Sequence, residues 1–125
     1  MPINKDIIAT QEYVDVIVDA IQDKKGREII ELNLEKINNP VTDRFIICHG
    51  DSNTQVDAVA ESVEKKVKDK LGERAWHKEG YENSHWILID YGNVVVHVFL
   101  KPYRDFYKLE DLWADAPVQN HDYEV

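Results

Sequence analysis

Acid–base or nucleophilic chemistry needs a carboxylate and an imidazole within reach of each other, and the stretch "HWILIDYGNVVVHVF", His85 to Phe99, supplies one of each in Asp90 and His97. Apolar and β-branched residues alternate on both sides of Gly92-Asn93, which reads as a hairpin: Gly takes φ > 0 at the first turn position and Asn tolerates the second. With that loop, Asp90 faces Val95, Leu88 faces His97 and Trp86 faces Phe99, so Asp90 and His97 fall on one face as diagonal neighbours, roughly 7–8 Å apart at the backbone. Their side chains are expected to reach each other. A hydrolytic triad still lacks its nucleophile, because no serine or cysteine sits in a strained elbow beside them. A strand histidine next to an aspartate is more often structural than catalytic.

Phosphate chemistry is the second candidate. Gly50-Asp51-Ser52 opens a helix directly after a strand, where backbone amides can hold a phosphate. Metal-dependent nucleotidyl transfer also requires closely spaced carboxylates, and the strand that would carry them, "WILID", has only Asp90. Asp51-Ser52 is better explained as a helix start, which needs no metal. His49, His77, His85, His97 and His121 are scattered, without an i, i+4 pair or a cysteine set at zinc spacing, so no metal or other cofactor is expected. Lone Cys48, flanked by apolar residues in "RFIICHG", cannot form an internal disulfide and reads as a core residue of a protein in a reducing compartment.

These residues must be positioned by a small single domain, since 125 residues suffice for one core. Val14, Ile17, Val18 and Ile21 repeat at helical spacing and predict a helix from about Thr10 to Asp23. "REIIELNLE" alternates Ile30, Leu32 and Leu34 as a strand, with Asn39-Pro40 as the turn after it. "DRFIICHG" is a nearly continuous apolar run, as expected of a central strand covered on both faces. The helix that follows starts with a capping box, Ser52 taking the N3 amide and Gln55 reaching back to the N-cap amide, and stops at Gly72. "RAWHKEG" predicts an irregular strand, and "YRDFYKLEDLWADAP" two short helical turns after Pro102. The acidic tail from Pro117 to Val125 is expected to fray. The fold class is α/β, a mixed β-sheet flanked by helices.

Two further features concern partners. The formal charge of −9 repels phosphate backbones and favours basic surfaces, so direct nucleic-acid binding is not expected unless the few cations cluster. No stretch has the shape of a signal peptide or approaches the ~20 apolar residues of a membrane helix, so a soluble cytoplasmic protein without membrane contact is expected. Trp86, Tyr91, Phe99, Tyr103, Phe106, Tyr107 and Trp113 fall within 28 positions. Aromatic residues beside a few polar groups are the material of interface centres, although half of these can be core.

"WILIDYGNVVVHVF" followed by "RDFYKLEDLW", with "TDRFIICHGDSNTQVDAVAESV" upstream, resembles the ribosomal silencing factor family, also called Iojap or DUF143, from about Ile7 to Ala116. The resemblance implies a fold like a nucleotidyltransferase core without its catalytic carboxylates, over residues 1–116. It implies a non-enzymatic repressor that binds the large ribosomal subunit through ribosomal protein uL14, blocks subunit joining when nutrients are short, and is a homodimer when free. By position, Trp86, Asp90, Tyr91, Gly92 and Asn93 match the family's ribosome-contacting hairpin. Arg104, Tyr107, Leu109, Glu110 and Trp113 match its C-terminal signature. Asn93 stands where many members have Asp, and Tyr91 where some have Leu. On this reading Trp86 and Tyr91 are desolvated anchors, Tyr91 being brought to the rim at the hairpin tip, and Asp90, Glu110 and Asp111 steer and pair with a basic partner. The alternative function is a residual nucleotide-binding or nucleotidyltransferase-like domain using Gly50, Asp51, Ser52 and Asp90.

Overall fold

The computed structural model describes residues 8–37 and 41–122; the expected Asn39-Pro40 turn lies outside them. Helix α1 spans Thr10–Asp23, as its apolar spacing predicts, and buries Val14, Ile17, Val18 and Ile21. Strands β1 (Arg27–Asn33) and β2 (Arg44–Gly50) lead into helix α2 (Asn53–Leu71). Short strand β3 (His77–Glu79), the hairpin β4 (Trp86–Asp90) and β5 (Val94–Leu100), helix α3 (Lys101–Tyr107), a 3₁₀ turn (Leu109–Trp113) and β6 (Val118–Asn120) complete the order.

All six strands join one sheet in the order β3-β4-β5-β2-β1-β6. Among the described residues only β2 and β5, the sheet's two middle strands, pair in parallel. β2 is buried along nearly its whole length, as its apolar run predicts for a centre strand. The hairpin has the predicted register, Trp86 against Phe99 through Asp90 against Val95, and Gly92 takes φ +91° in its turn. Its two faces therefore divide as the alternation requires. Ile87, Ile89, Tyr91, Val94, Val96 and Val98 lie in the core beneath α1 and α2. Val95 and Phe99 lie in a second, smaller core with Leu32, Leu34, Phe45 and Ile47, closed by Leu109 and Ala116.

Helix α2 stops where Gly72 adopts φ +72°, the left-handed residue its sequence supplies. At its other end the capping box is only half as expected. Ser52 Oγ accepts from the Gln55 amide, but Gln55 Oε1 accepts from the Asp51 amide instead of that of Ser52, while Gln55 Nε2 donates to the carbonyls of Lys24 and Lys25. The side chain is thus spent on tying α2 to the end of α1. Ser62 Oγ donates to the Ala20 carbonyl at 2.9 Å and holds the two helices close.

The tail departs from expectation. Residues 118–120 pair antiparallel with β1 instead of fraying. Asp122 accepts the Ile29 amide at 2.8 Å, and His121 meets the buried carboxylate of Glu31 at 2.6 Å. The physical reason is that β1 would otherwise present an open row of backbone donors and acceptors.

Candidate protein-docking face

The second core is covered unevenly, and that decides where a partner can sit. Helix α3 is held at the β2 and β1 side by Arg104, whose Nη1 donates to the Glu28 carbonyl at 2.8 Å, to the Arg27 carbonyl at 3.4 Å and to His49 Nδ1 at 2.9 Å. Glu28 has φ +48° and the β1–β2 register shifts there, so the guanidinium satisfies carbonyls turned out of the ladder by a bulge. Burial and the adjacent Arg104 charge lower the His49 pKa and keep its ring neutral, which suits an imidazole nitrogen accepting from arginine. Glu110 Oε2 pairs with Arg104 Nε at 3.4 Å and latches the 3₁₀ turn to the helix. Arg104 is buried, so its part is to seat α3 and not to face a partner.

On β4, at the other side of the sheet, this cover is thin. Ile87 and Ile89 are fully buried under α1 and α2, whereas Trp86, Leu88 and Asp90 on the opposite face are only half-buried. The Trp86 ring stacks on Phe99 at 4.8 Å and meets Tyr107 at 5.0 Å; Phe106 stands edge-on to Tyr107 at 5.1 Å. Phe106 is 78% exposed and Tyr107 48%. Pro102, Tyr103, Phe106 and Tyr107 line a groove of 350 Å³, and Trp86 and Leu88 border another of 220 Å³. Leu112, on the 3₁₀ turn, is 74% exposed, and Trp113 packs edge-on to Phe45. Asp105, Glu110 and Asp111 line a separate groove with Glu28, Ile30 and Arg104 on the β1 side, so the acids flank the apolar rings and leucines, as in the polar rim around an interface centre.

Sequence expectations about the hairpin change here. Asp90 and His97 do not meet: Asp90 Oδ1 accepts the Gly92 amide at 2.7 Å, closing its own turn, and His97 Nδ1 accepts from Trp86 Nε1 at 3.1 Å. His97 is buried, its Nε2 has no partner among the described residues, and desolvation alone pushes its pKa down to about 3. Tyr91 is not at the rim; it is 3% exposed and packs on Tyr13 at 5.5 Å, because it shares a face with Ile87 and Ile89. Burial, with Glu64 and Tyr13 nearby, raises its pKa. Gly92 lies under the Trp76 ring, and Asn93 Nδ2 donates to Thr10 Oγ1 at 3.2 Å, so the hairpin tip is engaged within the fold.

Phe106, Leu112 and Leu88 are the face residues outside the contacts implied by the family's matched positions. Phe106 was recoverable from helix geometry: two residues after inward Arg104 it turns through about 200° and points out.

The phosphate-site residues remain apart. Asp51 pairs with Arg27 at 2.7 Å and Asp90 caps its turn. Gly50 aligns with Leu100 and Asp90 with Val95, so they stand about five residues apart along β5, on the order of 17 Å. Among the described residues no group of three or more His, Cys, Asp or Glu side chains converges to hold a metal ion, and no helix is long and apolar enough to cross a membrane.

Comparison with known proteins adds the family. A profile described as "Ribosomal silencing factor during starvation" matches residues 8–125. The chain belongs to the ribosomal silencing factor family. It is 46% identical over 110 residues to ribosomal silencing factor RsfS of Halalkalibacterium halodurans, covering 88% of this chain and 92% of that one. Against RsfS of Bacillus subtilis the identity is 42% over 113 residues, covering 90% and 94%. A crystal structure of a protein from Chromobacterium violaceum superposes with a TM-score of 0.81 at 42% identity, covering 86% of this chain and 88% of that one. The ribosomal silencing factor profile extends through the tail, consistent with β6 being part of the domain.

Proposed function

We propose that this silencing factor binds the large ribosomal subunit through ribosomal protein uL14 and, once seated, obstructs joining of the small subunit. It represses translation in the cytoplasm without making or breaking a bond. Off the ribosome the chain is a homodimer. The observation that carries the reading is the apolar face of Trp86, Leu88, Phe106 and Tyr107, left partly open where α3 covers β4 only through Tyr107. Asp105, next to Phe106 on α3, and Glu110 and Asp111 on the turn that follows flank this face and favour a basic ribosomal protein, with the charges setting approach and the rings the lifetime of the complex. Separation of Asp51 from Asp90 gives no support to a residual nucleotidyltransferase.

The test is sedimentation of the protein with purified large subunits and, separately, formation of joined ribosomes in its presence. Phe106→Ala and Tyr107→Ala are the informative variants, because Tyr91→Ala would empty a core position. Each is expected to lose about 2 kcal/mol of binding, roughly thirtyfold, with circular dichroism unchanged. Wild-type association in both variants, or normal subunit joining at saturating protein, overturns the proposal.

A further inference from the structure

Charge in this acidic chain is not evenly spread. Residues 65–78 carry six of its 15 Lys and Arg residues, Lys65, Lys66, Lys68, Lys70, Arg74 and Lys78, and only two of its 24 acids, Asp69 and Glu73. That stretch has a net charge of +4 within a total of −9. Lys65, Lys66 and Lys78 are held by carboxylates at 2.8 to 2.9 Å. Lys68 and Arg74 are exposed and have no carboxylate partner among the described residues. Together with Lys65 and Lys78 they line an open groove of 420 Å³, on which Glu64 and Glu73 are the acids. A lysine in the last turn, such as Lys68, offsets the helix dipole. Arg74 and Lys78 lie beyond the Gly72 stop, where that explanation does not apply.

Beside this groove stands Trp76, 78% exposed. Its amide donates to the Asp90 carbonyl at 2.8 Å, so the backbone beneath the ring is fixed. A Cβ on Gly92 would lie 2.8, 3.0 and 3.0 Å from three neighbouring carbons of the indole, which puts that point over the ring face and not beside its edge. The bare glycine thus lets the indole lie on the turn. Its other face is open.

We propose that residues 65–78 form an RNA contact, in which Lys68 and Arg74 take backbone phosphates and Trp76 stacks on an unpaired base. The inference rests on the reading that the chain docks on the large subunit, whose RNA supplies both groups. Free cations alone would suit any polyanion, including an acidic peptide. A flat ring with one face seated and the other open, next to those cations, matches the phosphate and base of a nucleotide. The net acidity of the rest of the chain keeps free RNA binding weak and makes the contact depend on docking elsewhere, or on low salt.

The test uses the full chain with Lys68→Glu/Arg74→Glu, Trp76→Ala and, on the other face, Phe106→Ala. The probes are purified large subunits and a fluorescein-labelled RNA hairpin with an unpaired adenosine loop, each titrated across potassium chloride concentration. Charge reversal is expected to weaken both complexes by about tenfold or more and to flatten the salt slope by about 1.4–1.8, the amount for two phosphates. Trp76→Ala is expected to weaken hairpin binding by about tenfold with the slope unchanged. Phe106→Ala is expected to act on subunits only. Hairpin affinity and salt slopes unchanged in both the charge-reversed and Trp76 variants overturn the RNA contact. Subunit binding that depends on Phe106 but not on Lys68 and Arg74 also overturns it and leaves the docking reading intact; hairpin binding without subunit binding does the reverse.

Discussion

The His97 ring is an acceptor at Nδ1 and carries its proton at Nε2, because Trp86 Nε1 can only donate. A second proton on Nδ1 would set donor against donor and place a charge in the second core. The folded-state pKa is lowered to about 3, against an ordinary value near 6.5 in the unfolded chain. For a histidine held neutral the unfolded state binds the extra proton first, so this contribution to stability is intact above about pH 6.5 and falls as pH drops from there toward about 3. Between pH 7.5 and 5.5 it amounts to about 1.4 kcal/mol. Urea denaturation at the two values measures it: His97→Gln, which keeps an acceptor for Trp86, is expected to lose about 1.4 kcal/mol less than wild type over that interval, and equal losses sink the assignment. The pairing of Trp86 with Phe99 and of Leu88 with His97 was readable from alternation around Gly-Asn. Which polar group Asp90 would choose was not, since a turn amide two residues away competes with any diagonal partner and depends only on local backbone geometry.

At the scale of elements, the helices and the hairpin were legible because each carries a period and a stop: apolar spacing and Gly72 for α2, strict alternation and Gly92 for β4 and β5. The seating of α3 was not. Arg104 belongs to a family signature and looks like a surface cation, yet its guanidinium answers carbonyls 76 and 77 residues earlier at the β1 bulge. No local pattern announces a partner at that distance. Arg104→Met keeps much of the side-chain volume and removes the donors, leaving the Glu28 carbonyl and His49 without their bonds. A stability loss of about 2–4 kcal/mol is expected in denaturant unfolding, together with loss of subunit association through misplacement of Phe106 and Tyr107. A change below about 0.5 kcal/mol would show that α3 is held by its apolar contacts alone.

For the whole molecule, the mixed sheet and its single domain followed from the order of elements, while two features needed the third dimension. One is the unequal layering, two long helices on one face and a short helix with a 3₁₀ turn on the other, which leaves the β4 strip open. The other is the tail: "VQNHD" has no apolar alternation, and its bonds to Gln22, Ile29 and Glu31 lie about 90 residues away along the chain. Truncation after Ala116 removes those bonds and uncovers the β1 edge. The shortened protein is expected to unfold at lower denaturant and to elute on size exclusion as larger species than the full chain at equal concentration, a strand edge being a template for pairing. Equal midpoints and elution would mean that β6 contributes nothing. The parallel seam between β2 and β5 also governs when this molecule can exist at all. Arg44 aligns with Val94, so the middle of the sheet cannot zip until α2 and the hairpin beyond it have been synthesised. A nascent chain stalled before Val94 owns its first two helices and two antiparallel strand pairs, β1–β2 and β3–β4, but no keystone, and its apolar faces wait for chaperones or for the remaining residues to leave the exit tunnel.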